Sequence, residues 1–171
     1  MNDIKNSEKN SDLKNNNQIK FKKNPRSLSR LLALQILFTD DFFKNGSDIT
    51  LIKNELIENY TLHEEHEPIN LTDMIEDKFI DQLVYGVKEN FEEFDQKIAG
   101  FLQAKYSLET LDSVELQIFR LAMFELKFLI EIPTNAIINE YVNLAGGFFI
   151  EKKIKFINGL INSLAKELRK A

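Results

Sequence analysis

The chain has 171 residues, 43% of them hydrophobic, no cysteine and a formal net charge of −5. That length and apolar content support one buried core plus a tail, and the lack of cysteine excludes a disulfide framework and thiolate chemistry. The charge is partitioned: residues 1–30 carry eight Lys/Arg against three Asp/Glu, residues 31–150 eight against 22, and residues 151–171 six against two. Basic ends on an acidic body suit phosphates at the ends and a basic protein partner in the middle, plain solvation of the ends being the alternative.

Taken in order, residues 1–24 are rich in Asn, Lys and Ser, with only Met1, Ile4, Leu13, Ile19 and Phe21 as apolar members. Such a segment cannot support a core and is expected to be a disordered, basic and polar tail, leaving 25–171 as one helical domain. The first apolar-rich window begins only at Leu28 and is amphipathic, so no signal peptide is expected. A first helix, RSLSRLLALQILFTDDFF, is predicted to start at a Ser27 or Ser29 cap, with Leu31, Leu34, Phe38 and Phe42 as its apolar stripe. Arg26 and Arg30 lie on its first turn. Two cations there oppose the helix dipole, a cost that makes sense if an anion docks beside them.

Asn45-Gly46 breaks this helix, Asp48 caps a second, and Ile49, Ile52, Leu56 and Tyr60 continue the pattern. Residues 61–68 form a polar, acidic loop that holds both histidines, His63 and His66. A zinc site needs three or four ligands on a rigid frame, which a loop ended by Pro68 does not supply, so no metal is expected. Little else is available for histidine-based acid–base catalysis. A helix from Thr72 to Asn90 carries Ile75, Phe79, Leu83 and Val87, with Gly86 allowing a close contact, and Phe91, Phe94, Ile98 and Leu102 define another.

Residues 111–132, LDSVELQIFRLAMFELKFLIEI, are apolar on two faces: Leu111, Val114, Ile118, Leu121 and Ala122 on one, Leu116, Phe119, Met123, Leu126 and Ile130 on the other. A helix apolar on two sides must be wrapped by others, so this one is expected at the centre. Asp112 and Glu115 form a capping box at its start and Pro133 stops it. Its charges Glu115, Arg120, Glu125, Lys127 and Glu131 argue against a membrane span, and the chain reads as cytoplasmic. Arg120 needs a partner in an apolar setting, and Glu140 on the next helix is the candidate for a structural pair. That next helix carries Ala136, Ile137, Glu140, Tyr141 and Leu144 and ends at Gly146-Gly147. The last, from about Lys153, carries Ile154, Ile157, Leu160, Ile161, Leu164 and Leu168. The expectation is an all-α fold: a compact bundle of about seven helices, or two small helical subdomains sharing the central helix.

No GxxxxGK[ST], GxGxxG, HExxH or GxSxG motif is present. Carboxylate pairs such as Glu92-Glu93 and Asp40-Asp41 read as solvating surface. No catalytic residue and no cofactor is expected, and binding through surfaces is what remains.

LDSVELQIFRLAMFEL, IPTNAIINEYVNLA and KFINGLINSLAK, in that order, resemble the NusB family of transcription antitermination factors. The family pattern runs L-D-x-V-E-x-x-I-L-R-x-A-x-Y-E-L, then I-P-x-x-x-A-I-N-E-x-V-x-L-A, then K-F-V-N-G-x-L; Phe124 here replaces the usual Tyr. RSLSRLLALQILF also resembles the family's R-x-x-A-R-x-x-A-L-Q-x-L-Y. The likeness spans about Arg26 to Lys166 and implies an all-α, non-catalytic RNA-binding protein. By resemblance its partners are boxA RNA, the small-subunit ribosomal protein NusE and the transcription elongation complex, during rRNA transcription.

The resemblance places the RNA-facing positions at Arg26 and Arg30 and around Phe148, Lys155 and Phe156. Phosphates favour Arg and Lys, and unpaired bases favour aromatic faces; core packing is the alternative role for the two phenylalanines. The first helix lacks the family's denser arginine cluster, for which Lys20, Lys22 and Lys23 of the tail would compensate. Phe149 stands where the family has glycine, and Lys152-Lys153 add positive charge where it has a polar turn. The alternative function is a helical protein-interaction module or homodimer with a minor RNA role.

Overall fold

The computed structural model describes residues 24–44, 46–61, 71–103 and 105–170, and their regular structure is helical throughout. The elements are α1 (Pro25–Phe42), α2 (Ile49–Thr61), a 3₁₀ turn (Leu71–Met74), α3 (Asp77–Phe101), a second 3₁₀ turn (Leu108–Thr110), α4 (Ser113–Phe128), α5 (Thr134–Ala145) and α6 (Glu151–Leu168). There are six α-helices among the described residues, not seven, because Phe79 through Leu102 do not split. Asn90-Phe91 contains no helix breaker, and the Asn90 side chain donates to the Gly86 carbonyl 2.8 Å away within the same helix. The tail, its Lys22 and Lys23, and the loop with His63 and His66 lie outside the described residues. Among those described, no helix is long and apolar enough to cross a membrane.

α4 is the hub, packing on α1, α3, α5 and α6. Ile118, Phe119, Leu121, Ala122 and Met123 have no exposure, which is the burial on both faces that its sequence requires. Its start is the expected capping box: Val114 N donates to Asp112 Oδ1 (2.8 Å) and Asp112 N to Glu115 Oε2 (3.3 Å). Its end differs from expectation. The helix stops at Phe128, short of Pro133, and Ile130 is 79% exposed, so it is no part of the second stripe. Arg169, which follows α6, gathers the carbonyls there, two of which, Glu125 and Leu129, also accept from the backbone N–H of Leu129 and Ile132. Its guanidinium donates to the carbonyls of Glu125 (3.1 Å), Leu126 (2.8 Å), Leu129 (2.8 Å) and Ile132 (2.5 Å). A cation at a helix C-terminus satisfies those acceptors and complements the dipole.

α1 begins one turn earlier than a Ser27 or Ser29 cap would place it. Asn24 Oδ1 accepts from Arg26 N (3.0 Å), and Pro25 takes the first helical position, where its missing N–H costs nothing. Ser29 instead donates to the Pro25 carbonyl (2.7 Å) and accepts from Glu76 N (2.8 Å), tying α1 to the start of α3. The buried stripe is Leu28, Leu32, Ala33, Leu34, Ile36 and Leu37; Phe38 and Phe42 are exposed. Asp48 caps α2 as expected, accepting from Thr50 N and Leu51 N. Gly86 is the close approach anticipated for α3: a Cβ there would overlap the Phe124 ring of α4.

The pairing of Arg120 with Glu140 is not found. Arg120 grips Asp95 of α3 through two parallel bonds, Nε to Oδ1 (2.8 Å) and Nη2 to Oδ2 (2.6 Å). Glu140 faces the opposite side of α4, where it accepts from Ser27 Oγ (2.6 Å) and Arg30 Nη1 (3.2 Å) of α1. The reason is angular: Arg120 points to α3 while Glu140 reaches α1, so the two never share a face.

Candidate nucleic-acid interface

The cations expected to meet phosphate do not form one cluster. Arg30, anticipated as an RNA contact, is a core residue with 4% exposure. Its Nε and Nη2 each donate at 2.7 Å to the carboxylate of Glu125, which has no exposure. Tyr141, also fully buried, donates its hydroxyl to Glu125 Oε1 (2.5 Å). Burial opposes the charge on Arg30, but the hydrogen bonds and charge of Glu125, with smaller help from Tyr141 and Glu140, more than offset it and hold the guanidinium protonated. For Tyr141, burial and then the Glu125 charge push the phenol well above its ordinary range, against the pull of Arg30. The anion that two cations at the start of α1 seemed to call for is therefore internal.

Arg26 is the accessible member of that pair, with its side chain 43% exposed. It contacts Glu76 Oε2 at 3.2 Å and lies 4.8 Å from the centre of the Phe79 ring. An exposed pair of this kind is weak and leaves the guanidinium open to exchange its carboxylate for a phosphate.

The remaining candidates gather at the other end of the bundle, where α5 passes into α6. Phe148 is exposed and lies in the connection, 6.4 Å centre to centre from Phe149. Lys152 and Lys155 are exposed on the first turns of α6, and Lys155 pairs with Glu151, at 2.8 Å and one turn away. Lys153 reaches back to the buried Glu115 at the start of α4 (2.9 Å) and sits 5.9 Å from the Phe156 ring. Phe156 is half-buried: its ring meets Phe119 of the core edge-on and Tyr106 in the α3–α4 connection. α6 begins at Ile150 without a side-chain cap, so its dipole and first N–H groups favour an anion among these lysines.

Ion pairs also fix the separation between the two regions. Lys153 marks the α6 start beside Glu115, whereas Arg30 and Arg169 both meet Glu125. The ten-residue step along α4 is roughly 15 Å. The C-terminal end of α6, with Arg169, thus lies at the same end of α4 as the start of α1, while Lys152, Lys155, Phe148 and Phe156 stand at the far end. Neither Tyr106 nor the clamp of Arg169 was anticipated, since a tyrosine in a short polar connection and a lysine/arginine-rich last turn carry no distinguishing pattern.

A sequence model of the NusB family matches residues 27–166. The transcription antitermination protein NusB of Clostridium botulinum (strain Kyoto / Type A2) is 34% identical over 144 residues, covering 81% of this chain and 98% of that protein. NusB of Caulobacter vibrioides is 32% identical over 145 residues, covering 85% and 95%. Among solved structures, T. maritima NusB superimposes with a TM-score of 0.69 at 29% identity over 86% of this chain and 96% of its own. A chain in the crystal structure of the antitermination factors NusB and NusE in complex with dsRNA gives 0.66 at 25% identity, over 83% and 96%.

Proposed function

Because the chain belongs to the NusB family, we propose that it is a transcription antitermination factor that binds boxA-type RNA together with NusE during rRNA transcription. It acts in the cytoplasm as a part of the elongation complex, by holding RNA and protein rather than by catalysis. Residues 25–171 are the RNA-binding domain and residues 1–24 a basic tail that adds non-specific phosphate attraction through Lys22 and Lys23.

The observation that carries this reading is the start of α6. Lys152 and Lys155 project there beside the exposed Phe148 and the half-buried Phe156. Cations for the backbone and rings for unpaired bases are the two components of single-strand recognition. Arg26 supplies a further phosphate contact at the far end of α4. Arg30 is withdrawn from the proposed RNA contacts, because its donors are consumed by Glu125 and Glu140.

The test is a fluorescence-anisotropy titration of a boxA RNA and a scrambled control, at two salt concentrations, with and without purified NusE. Tighter binding to boxA that strengthens with NusE supports the proposal. Equal weak binding to both RNAs, indifferent to NusE, overturns it in favour of a helical interaction module whose basic ends are generic.

A further inference from the structure

We propose that Tyr106 forms, with Phe156, a stacking site for one unpaired RNA base beside the lysines of α6, an inference that rests on the RNA-binding reading above. Tyr106 lies in the connection between α3 and α4, within the span that the NusB family model matches but outside the motifs quoted for the resemblance.

Three rings run outward from the core in sequence. Phe119 of α4 has no exposure; Phe156 packs edge-on against it, 6.3 Å between centres at 77°. Tyr106 meets the same Phe156 ring in a tilted arrangement, 5.2 Å between centres at 31°, within the centre-to-centre range of aromatic pairs. Tyr106 keeps 44% of its surface exposed, so the outermost of the three rings is accessible from solvent. A base placed there would continue the stack, and a π face accepts any base.

The platform is also held in place before any ligand arrives. Tyr106 N donates to the Gln103 carbonyl (2.8 Å), and the next residues close on themselves, Ser107 N to Thr110 Oγ1 (2.9 Å) and Thr110 N to the Ser107 carbonyl (3.0 Å). Charge for the attached phosphates is adjacent. Lys105 is exposed on the same connection, and Lys153 sits by the Phe156 ring, with Lys152 one residue before it on the first turn of α6.

The experiment uses the full chain with NusE and a set of boxA RNAs, each with 2-aminopurine at one position. Wild type should quench one position, and Tyr106→Leu, which keeps apolar cover over Phe156, should lose that quench and bind about tenfold more weakly, the low end of the base-stacking range. Tyr106→Phe and Tyr106→Trp should retain both properties, which keeps the inference open to refutation if the leucine variant melts early. Unchanged quenching and affinity in Tyr106→Leu, with wild type binding normally, would overturn the stacking site and leave the RNA-binding reading standing. Failure of wild type to bind boxA removes both. A Tyr106→Leu defect in NusE binding without RNA would assign the ring to a protein interface and also overturn the inference.

Discussion

Replacing Arg30 by Met separates a core role from an RNA role. The substitution removes both 2.7 Å bonds to Glu125 and the 3.2 Å bond to Glu140. Glu125 is left with no exposure and, among the described residues, only the Tyr141 hydroxyl as a side-chain donor. Glu140 suffers less, since its side chain is 26% exposed and keeps Ser27. Breaking one side of a buried ion pair costs about 3–5 kcal/mol, because an uncompensated charge remains inside. Against a total stability of about 5–15 kcal/mol, that lowers the melting temperature by on the order of 10 °C for a chain of this size. Urea unfolding followed by far-UV circular dichroism should show a lower midpoint at an unchanged slope. Adding Glu125→Leu should recover much of the loss, since the pair is then replaced by apolar groups. At low temperature, the folded fraction of Arg30→Met should bind boxA RNA with NusE as wild type does. Stability within 1 kcal/mol of wild type together with lost RNA affinity would refute the reasoning.

Arg169→Met should destabilise by about 2–3 kcal/mol, as expected for losing charged hydrogen bonds to several carbonyls at the end of α4; hydrogen exchange should speed first at Leu129 to Ile132, and uniform exchange would contradict the clamp. Gly86→Ala gains about 1 kcal/mol of helix propensity but pushes a methyl into the Phe124 ring, at about 1–3 kcal/mol. A net loss is expected in thermal melts, relieved by Phe124→Leu, and a stabilised single mutant would show that α3 and α4 are not so close. Tyr141 has its phenol pKa raised well above 10.0 in the folded chain, so its contribution is fully present below the unfolded value and lost as pH rises through the folded one. Tyrosinate absorbance at 295 nm should therefore show one of the four tyrosines titrating only with unfolding, and Tyr141→Phe should remove that step.

The legible parts of the fold were those with local causes. Asp112 and Glu115 declare a capping box three residues apart, Asp48 a cap, and an apolar surface on both faces of one segment a central helix, and all three stand in the structure. What depends on which helix faces which was not legible. Burial of Arg120 follows from its neighbours Leu116 and Phe124, but the choice of Asp95 over Glu140 is made by the rotation of α4 against α3. Likewise Arg26 and Arg30, one turn apart, look equivalent in sequence; the facing carboxylates of Glu76, Glu125 and Glu140 make one an exposed cation and the other a core residue. Asn90-Phe91 had no breaker, and dividing α3 there gave apolar grouping more weight than continuity of the backbone. In the candidate site, the exposure of Lys152, Lys155 and Phe148 was legible because cations and an aromatic in a glycine-flanked connection have no core to enter. Phe156 packs against Phe119 of the core and meets Tyr106, so of its two expected roles core packing is the one the contacts describe.

The proposed RNA contact lies at the start of α6, at Lys152 and Lys155. The most direct measurement is the salt dependence of boxA affinity, with saturating NusE, for wild type and Lys152→Gln/Lys155→Gln. Each phosphate contact to single-stranded RNA contributes about 0.7 to the slope of log affinity against log salt, so the double variant should show a slope shallower by about 1.4, on the same per-contact scale, with unchanged thermal stability. An unchanged slope and affinity would place the RNA elsewhere on the molecule.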